Sequence, residues 1–130
     1  MLAECKLSVA AQTEPHDIYE HLVLVDREHK GCSWAMNRLA ARAHHGGIVG
    51  VNVGANKDSV DRAGDYVRLI DMFAPVASYF TINVSSPNTP GLRSLQQAAA
   101  LDDLLARVVE ARERVRRNAG ETPILLKIAP

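Results

Sequence analysis

The sequence predicts an α/β protein built around a parallel sheet, and three observations carry that expectation. Short apolar runs rich in β-branched or aromatic residues recur at Ile48–Val53, Tyr79–Val84 and Ile124–Ile128. A segment of helical periodicity precedes each of them. The runs start roughly thirty to forty-five residues apart, enough for a crossover helix between parallel strands each time. This order fits a doubly wound sheet or a barrel, and periodicity does not separate the two.

Up to Gly31 the pattern is irregular. His16, His21 and His29 are scattered, and Tyr19–Val25 reads as either a short strand or a helical turn. From Trp34 to His45 the apolar residues Met36, Leu39, Ala40 and Ala43 recur at helical spacing, and Gly46-Gly47 supplies a stop. Ile48–Val53 follows as a buried-type strand. Asn56–Ser59 offers helix-capping residues. Beyond it, Val60, Ala63, Val67 and Ile70 form an apolar stripe flanked by Tyr66, Leu69 and Phe73. Asp61, Arg62, Asp65 and Arg68 fall largely on the polar side of that helix. Pro75 lies just past its expected end. The strand Tyr79–Val84 leads into the polar, proline-containing loop Ser85–Arg93. A long helix follows over Ala98–Arg117, with Leu101, Leu104, Leu105, Val108 and Val115 on one face and Asn118-Ala119-Gly120 ending it. Pro123 opens the last apolar run.

Bulk properties narrow the function classes. The chain has 130 residues, with 15 basic and 15 acidic side chains. That balance gives no basic surplus for nucleic acid and no polybasic tail for anionic lipid. No apolar run approaches the ~20 residues that span a bilayer. The N-terminal stretch carries Glu4 and lacks a basic lead, so it reads poorly as a signal peptide. Cys5 and Cys32 form no CxxC pair and sit near no paired histidines, which argues against zinc and against a disulfide framework. A reducing, cytoplasmic setting is the expectation.

In parallel α/β proteins, chemistry gathers at the carboxyl ends of the strands. The first run delivers Asn52 and then Gly54-Ala55-Asn56-Lys57-Asp58. The second delivers Asn83, Ser86 and Asn88, and the third delivers Lys127. Asparagine beside glycine or proline is more often turn chemistry than a binding group. Asn52 and Asn83 stand apart because each lies within a strand, where a buried amide without partners costs roughly 1–3 kcal/mol. Lysine is rarely buried unless paired, so Lys127 in Leu-Leu-Lys-Ile-Ala suggests an anionic or electron-rich ligand. No Rossmann glycine fingerprint and no phosphate-binding P-loop is present. Asp102-Asp103 reads as favourable charge at a helix start. His44-His45 suits a helix end better than a metal, and Arg112–Arg117 reads as a solvated face.

At this point the residues resemble a known family. Gly50-Val51-Asn52-Val53-Gly54-Ala55-Asn56-Lys57-Asp58, the run Tyr79–Arg93 containing Asn83-Val84-Ser85-Ser86-Pro87-Asn88-Thr89-Pro90-Gly91-Leu92-Arg93, Ala100–Leu105 and Leu126-Lys127-Ile128-Ala129-Pro130 are similar, in order and spacing, to class 2 (quinone-dependent) dihydroorotate dehydrogenases. The resemblance covers roughly Arg38–Pro130. It implies a (β/α)₈ barrel holding FMN, of which this chain supplies about three consecutive βα units. It implies oxidation of dihydroorotate to orotate in pyrimidine biosynthesis, with electrons passed on to a quinone. By position, Ser86 matches the catalytic base, where class 1 enzymes have cysteine. Asn83 matches a residue touching both FMN and substrate, Asn88 a substrate contact, Asn52 an FMN contact, and Lys127 the lysine beside the flavin ring.

The resemblance also implies what is lacking. A full barrel needs about 250 residues. Residues 1–33 form an unassigned or divergent N-terminal segment, and 34–130 a fragment of the FMN-binding barrel. The second substrate-binding asparagine loop is not found at Glu28–Ser33, and Asn37, inside the expected helix, does not inherit that role. Neither the strands that bind the FMN phosphate nor the membrane-associating N-terminal extension is expected in this chain. It is therefore expected to be inactive alone, and its sheet edges open to aggregation. Full-length members are cytoplasmic and peripheral on the inner membrane, with no nucleic-acid partner. Two other readings stay open: an FMN-dependent barrel of the dihydropyrimidine dehydrogenase type, and a non-catalytic half-barrel binding module.

Overall fold

The computed structural model describes residues 6–10, 19–25, 29–42 and 46–130, with side chains described for 32–41 and 46–130. In chain order the elements are β1 (Lys6–Ala10), β2 (Tyr19–Val25), α1 (His29–Arg42), β3 (Val49–Gly54), α2 (Arg62–Phe73), β4 (Tyr79–Asn83), a 3₁₀ turn (Leu92–Gln96), α3 (Ala98–Ala119) and β5 (Ile124–Lys127). The five strands form one sheet in the order β1-β2-β3-β4-β5. β1 runs antiparallel to β2, and β2 through β5 are mutually parallel. Each parallel neighbour is reached through one helix, as the strand spacing requires.

The parallel α/β class expected from the sequence is what the chain adopts, with one more parallel strand than expected. Tyr19–Val25 resolves as a strand, paired with β3 from Glu20↔Val49 to Val25↔Gly54. A seven-residue run is too short for periodicity alone to decide, and its partner strand decides instead. β1 was not anticipated. α1 begins at His29, five residues before the expected Trp34, so the boundary drawn between residues 33 and 34 falls inside a helix. His44 and His45 lie outside the described residues.

Side-chain alternation sorts the sheet into two unlike faces. β3 and β4 bury Val49, Val51, Val53, Phe80, Ile82 and then Val84. These pack in a single core with Cys32, Ala35 and Leu39 of α1, Tyr66, Leu69, Ile70 and Phe73 of α2, and Leu104, Val108 and Ala111 of α3. Parallel pairing keeps residues of the same parity on the same face across strands. The face the helices leave uncovered therefore carries Gly50 with Tyr79, then Asn52 with Thr81 and Leu125, then Asn83 with Lys127. β5, at the end of the sheet, is mostly exposed, and Leu125, Leu126 and Ile128 are all open to solvent.

The helices correct several local expectations. α2 is capped by Asp61, whose Oδ1 accepts from the Gly64 amide at 3.1 Å, not by Asn56–Ser59. Val60 precedes that cap and is fully exposed, so it is no part of the apolar stripe. Asp65 is fully buried instead of solvated, its carboxylate accepting from the Asn56 amide and pairing with Arg68. Arg107 of α3 binds both carboxylate oxygens of Asp61, at 2.8 and 2.7 Å, and Arg114 binds Asp71 near the other end of α2 at 2.8 Å. Two ion pairs thus bracket the apolar α2–α3 contact. α3 ends as expected at Gly120, whose φ of 77° suits glycine and whose amide donates to Arg116 O at 3.0 Å.

Two stability predictions follow from this packing. Leu104→Ala is expected to cost about 2–5 kcal/mol in urea unfolding, whereas Val60→Ser stays within about 0.5 kcal/mol. Asp61→Ala is expected to cost about 1 kcal/mol at neutral pH through the lost cap, the exposed ion pair adding little. Arg107 and the Gly64 amide hold the Asp61 carboxyl down to about 2 from an ordinary 3.8. A depressed folded-state pKa stabilises above the unfolded value and the effect fades as pH falls through the folded one. The gap between parent and Asp61→Ala should therefore narrow from about pH 4 to about pH 2. Unfolding curves with an unchanged gap across that window would refute the linkage.

Candidate functional site

The carboxyl ends of β3 and β4 and the loops that follow them hold most of the polar groups singled out in the sequence. Asn52 lies on the uncovered face of β3. Its Oδ1 is buried and has no hydrogen-bond partner among the described residues, and the same is true of Asn56 Oδ1 in the loop beyond. A buried acceptor left unpaired is costly unless a ligand or solvent supplies a donor.

At the end of β4, Asn83 accepts through Oδ1 from the Ser85 amide at 3.0 Å and from Ser85 Oγ at 2.8 Å. This side chain to backbone turn redirects the chain out of the sheet. The expected buried amide is thus a half-buried one that has found partners two residues on. Ser86 is half-buried, and its Oγ accepts weakly from the Asn88 amide at 3.4 Å; Asn88 itself is exposed. Lys127 is the register neighbour of Asn83 across the β4–β5 pair, and its carbonyl accepts from the Val84 amide at 3.1 Å. The lysine side chain is exposed, contrary to the expectation that it is buried. β5 has a strand neighbour on one side only among the described residues, so its uncovered face meets solvent.

The loop between Ser85 and Gly91 is held from two sides. Arg93 Nε donates to Ser85 O at 3.3 Å. Arg62 on α2 donates to Pro90 O at 2.8 Å and to Lys57 O at 3.3 Å, so one guanidinium ties together the loops after β3 and β4. A Cβ added at Gly91 would come within 3.1 Å of the same guanidinium, and the φ of 70° there is one a larger residue would resist. The buried Leu92 then seats the 3₁₀ turn in the core. Gln96 Oε1 accepts from the Ala129 amide at 2.6 Å, linking this turn to the end of β5.

Sequence reasoning missed the groups on α2 that serve the site. The buried carboxylate of Asp65 accepts from the Asn56 amide at 2.8 Å and pairs with Arg68. The fully buried Tyr66 donates its hydroxyl to Asn83 O at 2.8 Å. Burial pushes the Tyr66 phenol well above its usual range, so it stays a donor at every working pH. One signal was available: Asp65, Leu69 and Phe73 stand at i, i+4 and i+8, which places the carboxylate on the buried stripe.

Structure brings Asn52, Asn83 and Lys127 onto one face of neighbouring strands, with Ser86 and Asn88 on the loop leaving the central one. No group of metal-binding side chains occurs among the described residues, and no described helix is long and apolar enough to cross a membrane.

Comparison with known proteins agrees with the resemblance. The family model described as Dihydroorotate dehydrogenase matches residues 25–130. A Dihydroorotate dehydrogenase (quinone) of Bradyrhizobium diazoefficiens is 79% identical over 100 residues, covering 77% of this chain and 27% of the relative. One from Rhodopseudomonas palustris (strain BisA53) is 82% identical over 95 residues, covering 73% of this chain and 26% of the relative. The chain thus spans little more than a quarter of the length of these relatives. Among solved structures it is similar to the DHODH of Eimeria tenella in complex with ferulenol, with a TM-score of 0.58 and 32% identity over 76% of this chain and 30% of that one. The ligand-free form of that protein gives a TM-score of 0.57 and 31% identity over 76% and 31%. With a family match over most of its length, this chain belongs to the dihydroorotate dehydrogenase family.

Proposed function

We propose that this chain forms part of the active-site wall of a quinone-linked dihydroorotate dehydrogenase, an FMN-dependent (β/α)₈ barrel that oxidises dihydroorotate to orotate in pyrimidine biosynthesis. The observation that carries the reading is the uncovered sheet face. It presents Asn52, Asn83 and Lys127 together, and Asn52 Oδ1 is buried there without a partner among the described residues. In a closed barrel that face lines the interior, and the strand ends meet the ligand. The reading places the protein in the cytoplasm, at the membrane surface where a quinone accepts the electrons.

The donor and acceptor set fits a flavin. Asn52 and Asn83 offer carboxamides that complement ring amides, and Lys127 offers a positive charge. Bound FMN would accept the hydride released from dihydroorotate. The chain's own residues then have separable tasks. Ser86 Oγ, after giving its own proton to water, takes the proton from the substrate's ring carbon, and the Asn88 backbone amide directed at that oxygen favours the alkoxide that acts as base. The carboxamides of Asn83 and Asn88 orient the pyrimidine through its amide edges. Lys127 stabilises negative charge that accumulates beside it. Serine at position 86, together with relatives named as quinone enzymes, favours this reading over a dihydropyrimidine dehydrogenase type.

The test is a graft. Residues 38–130 would replace the matching stretch of the Bradyrhizobium diazoefficiens relative. The chimera is expected to hold FMN and to oxidise dihydroorotate with a quinone acceptor, while the 130-residue chain alone turns over none. Ser86→Ala in the chimera is expected to lower kcat by at least about 10²-fold with flavin content unchanged. A folded, flavin-bound chimera without activity, or a Ser86→Ala variant as fast as its parent, would sink the proposal. A third outcome is equally decisive on Asn83. Asn83→Leu removes the acceptor for Ser85 and should speed Ser85 amide exchange about tenfold, whereas Asn83→Asp keeps the acceptor and the protection.

A further inference from the structure

The β3–β4 ladder ends at Val53↔Ile82, and beyond that pair the two strands part. Backbone groups at such a fork lose their ladder partners and, if buried, must find others. The side chain that meets them comes from neither strand. Tyr66 projects from the first turns of α2, and its hydroxyl donates to Asn83 O at 2.8 Å. The Ala55 amide faces the same oxygen and acts on the phenol against the effect of burial. The phenol therefore stands between the strand ends, donating to one and facing the amide of the other. The preceding residue, Asp65, grips the next amide along, Asn56 N, at 2.8 Å. Both side chains are fully buried, so water does not substitute for either.

We propose that Tyr66, supported by Asp65, is a positioning residue of the site: it clasps the diverging ends of β3 and β4 and so sets where the Asn83 side chain and the Ser86 loop stand relative to Asn52 and Asn56. The consequence for the site passes through Asn83 alone. Its carbonyl is held by Tyr66, while its carboxamide holds Ser85, the residue before Ser86. A tyrosine in this place gives more than core volume. Phenylalanine would fill the same space between helix and sheet and leave the Asn83 carbonyl without its donor. The functional part of this inference rests on the dehydrogenase reading above; the clasp itself does not.

Tyr66→Phe in the 130-residue chain separates the two. Amide exchange at Ala55 and Ser85 is expected to rise about tenfold, with α3 and the centre of β3 unchanged. Ser78→Ala serves as the control. It removes a comparable bond, Ser78 Oγ accepting from the Val49 amide at 2.9 Å, at the opposite end of the same strands. It should leave Ala55 and Ser85 protected. Unchanged exchange at Ala55 and Ser85 in Tyr66→Phe, or acceleration spread evenly through the sheet, overturns the clasp. In the chimera, Tyr66→Phe is expected to raise KM for dihydroorotate and lower kcat together, each by about threefold or more, at unchanged flavin content. Kinetics identical to the parent, alongside local loosening, would overturn the role in the site. If the chimera itself is inactive the dehydrogenase reading falls, and the exchange pattern still decides the clasp.

Discussion

Everything the site can do depends on the parallel pairing of β3, β4 and β5. With a side-chain period of two and parallel register, one choice of parity fixes the character of a whole face. Val51, Val53, Phe80 and Ile82 take the helix side, and their burial beneath α2 and α3 locks the register. Asn52, Asn83 and Lys127 are then carried to the other side without any further instruction. A slip of one residue in β4 would send Asn83 into the core and Ile82 into the open. The packing energy of the apolar face is therefore also what aims the polar one. This is why the polar residues can be as poor in strand propensity as asparagine without disturbing the fold.

Helix α2 does the complementary work at the strand ends, where the ladder stops. Its apolar stripe binds the sheet. Its first turns present Arg62, Asp65 and Tyr66 to the backbone of the two loops, through Pro90 and Lys57, Asn56, and Asn83 respectively. The start of the helix is itself fixed by Asp61, which caps it and takes the bidentate grip of Arg107 from α3. A continuous chain of contacts thus runs from α3 through Asp61 to the turn that bears Ser86. Loops that carry chemistry are usually less tied than the scaffold beneath them. These two are tied at several backbone positions by one helix.

The class of fold was legible in the sequence because long-period features produce it: apolar runs of strand length and helices with full turns between them. β3, α2, β4, α3 and β5 all occur within a few residues of where periodicity puts them. β2 was ambiguous for a physical reason, since a short run acquires its identity from the strand it pairs with, thirty residues away in Val49–Gly54. Val60 and Asp65 were misassigned by the same mechanism in opposite directions. The helix starts at Arg62, so Val60 has no helical face to belong to, and Asp65 rotates onto the buried one. The loop motif around Ser86 was legible by its residues alone. Its clasp was not, because Tyr66 reads as one more core aromatic until its hydroxyl is seen between Ala55 and Asn83.

The polar groups at the strand ends divide into two sets, and the division bears on function. Asn83 Oδ1, Asn83 O and Asn56 N are all satisfied from within the chain, by Ser85, Tyr66 and Asp65. Groups satisfied in this way hold geometry, which leaves the Nδ2 end of the Asn83 carboxamide as the part that can meet a ligand. Asn52 Oδ1 and Asn56 Oδ1 are buried acceptors without a donor among the described residues, and Lys127 carries its charge at the exposed edge of the same face. These groups gain most from a partner carrying N–H or O–H donors and negative charge. A fold that needed them only for stability would do better with apolar side chains at Asn52, since an unpaired buried amide works against folding. The unsatisfied set, held at fixed spacing by the satisfied one, is the arrangement expected of a binding surface preorganised for its ligand.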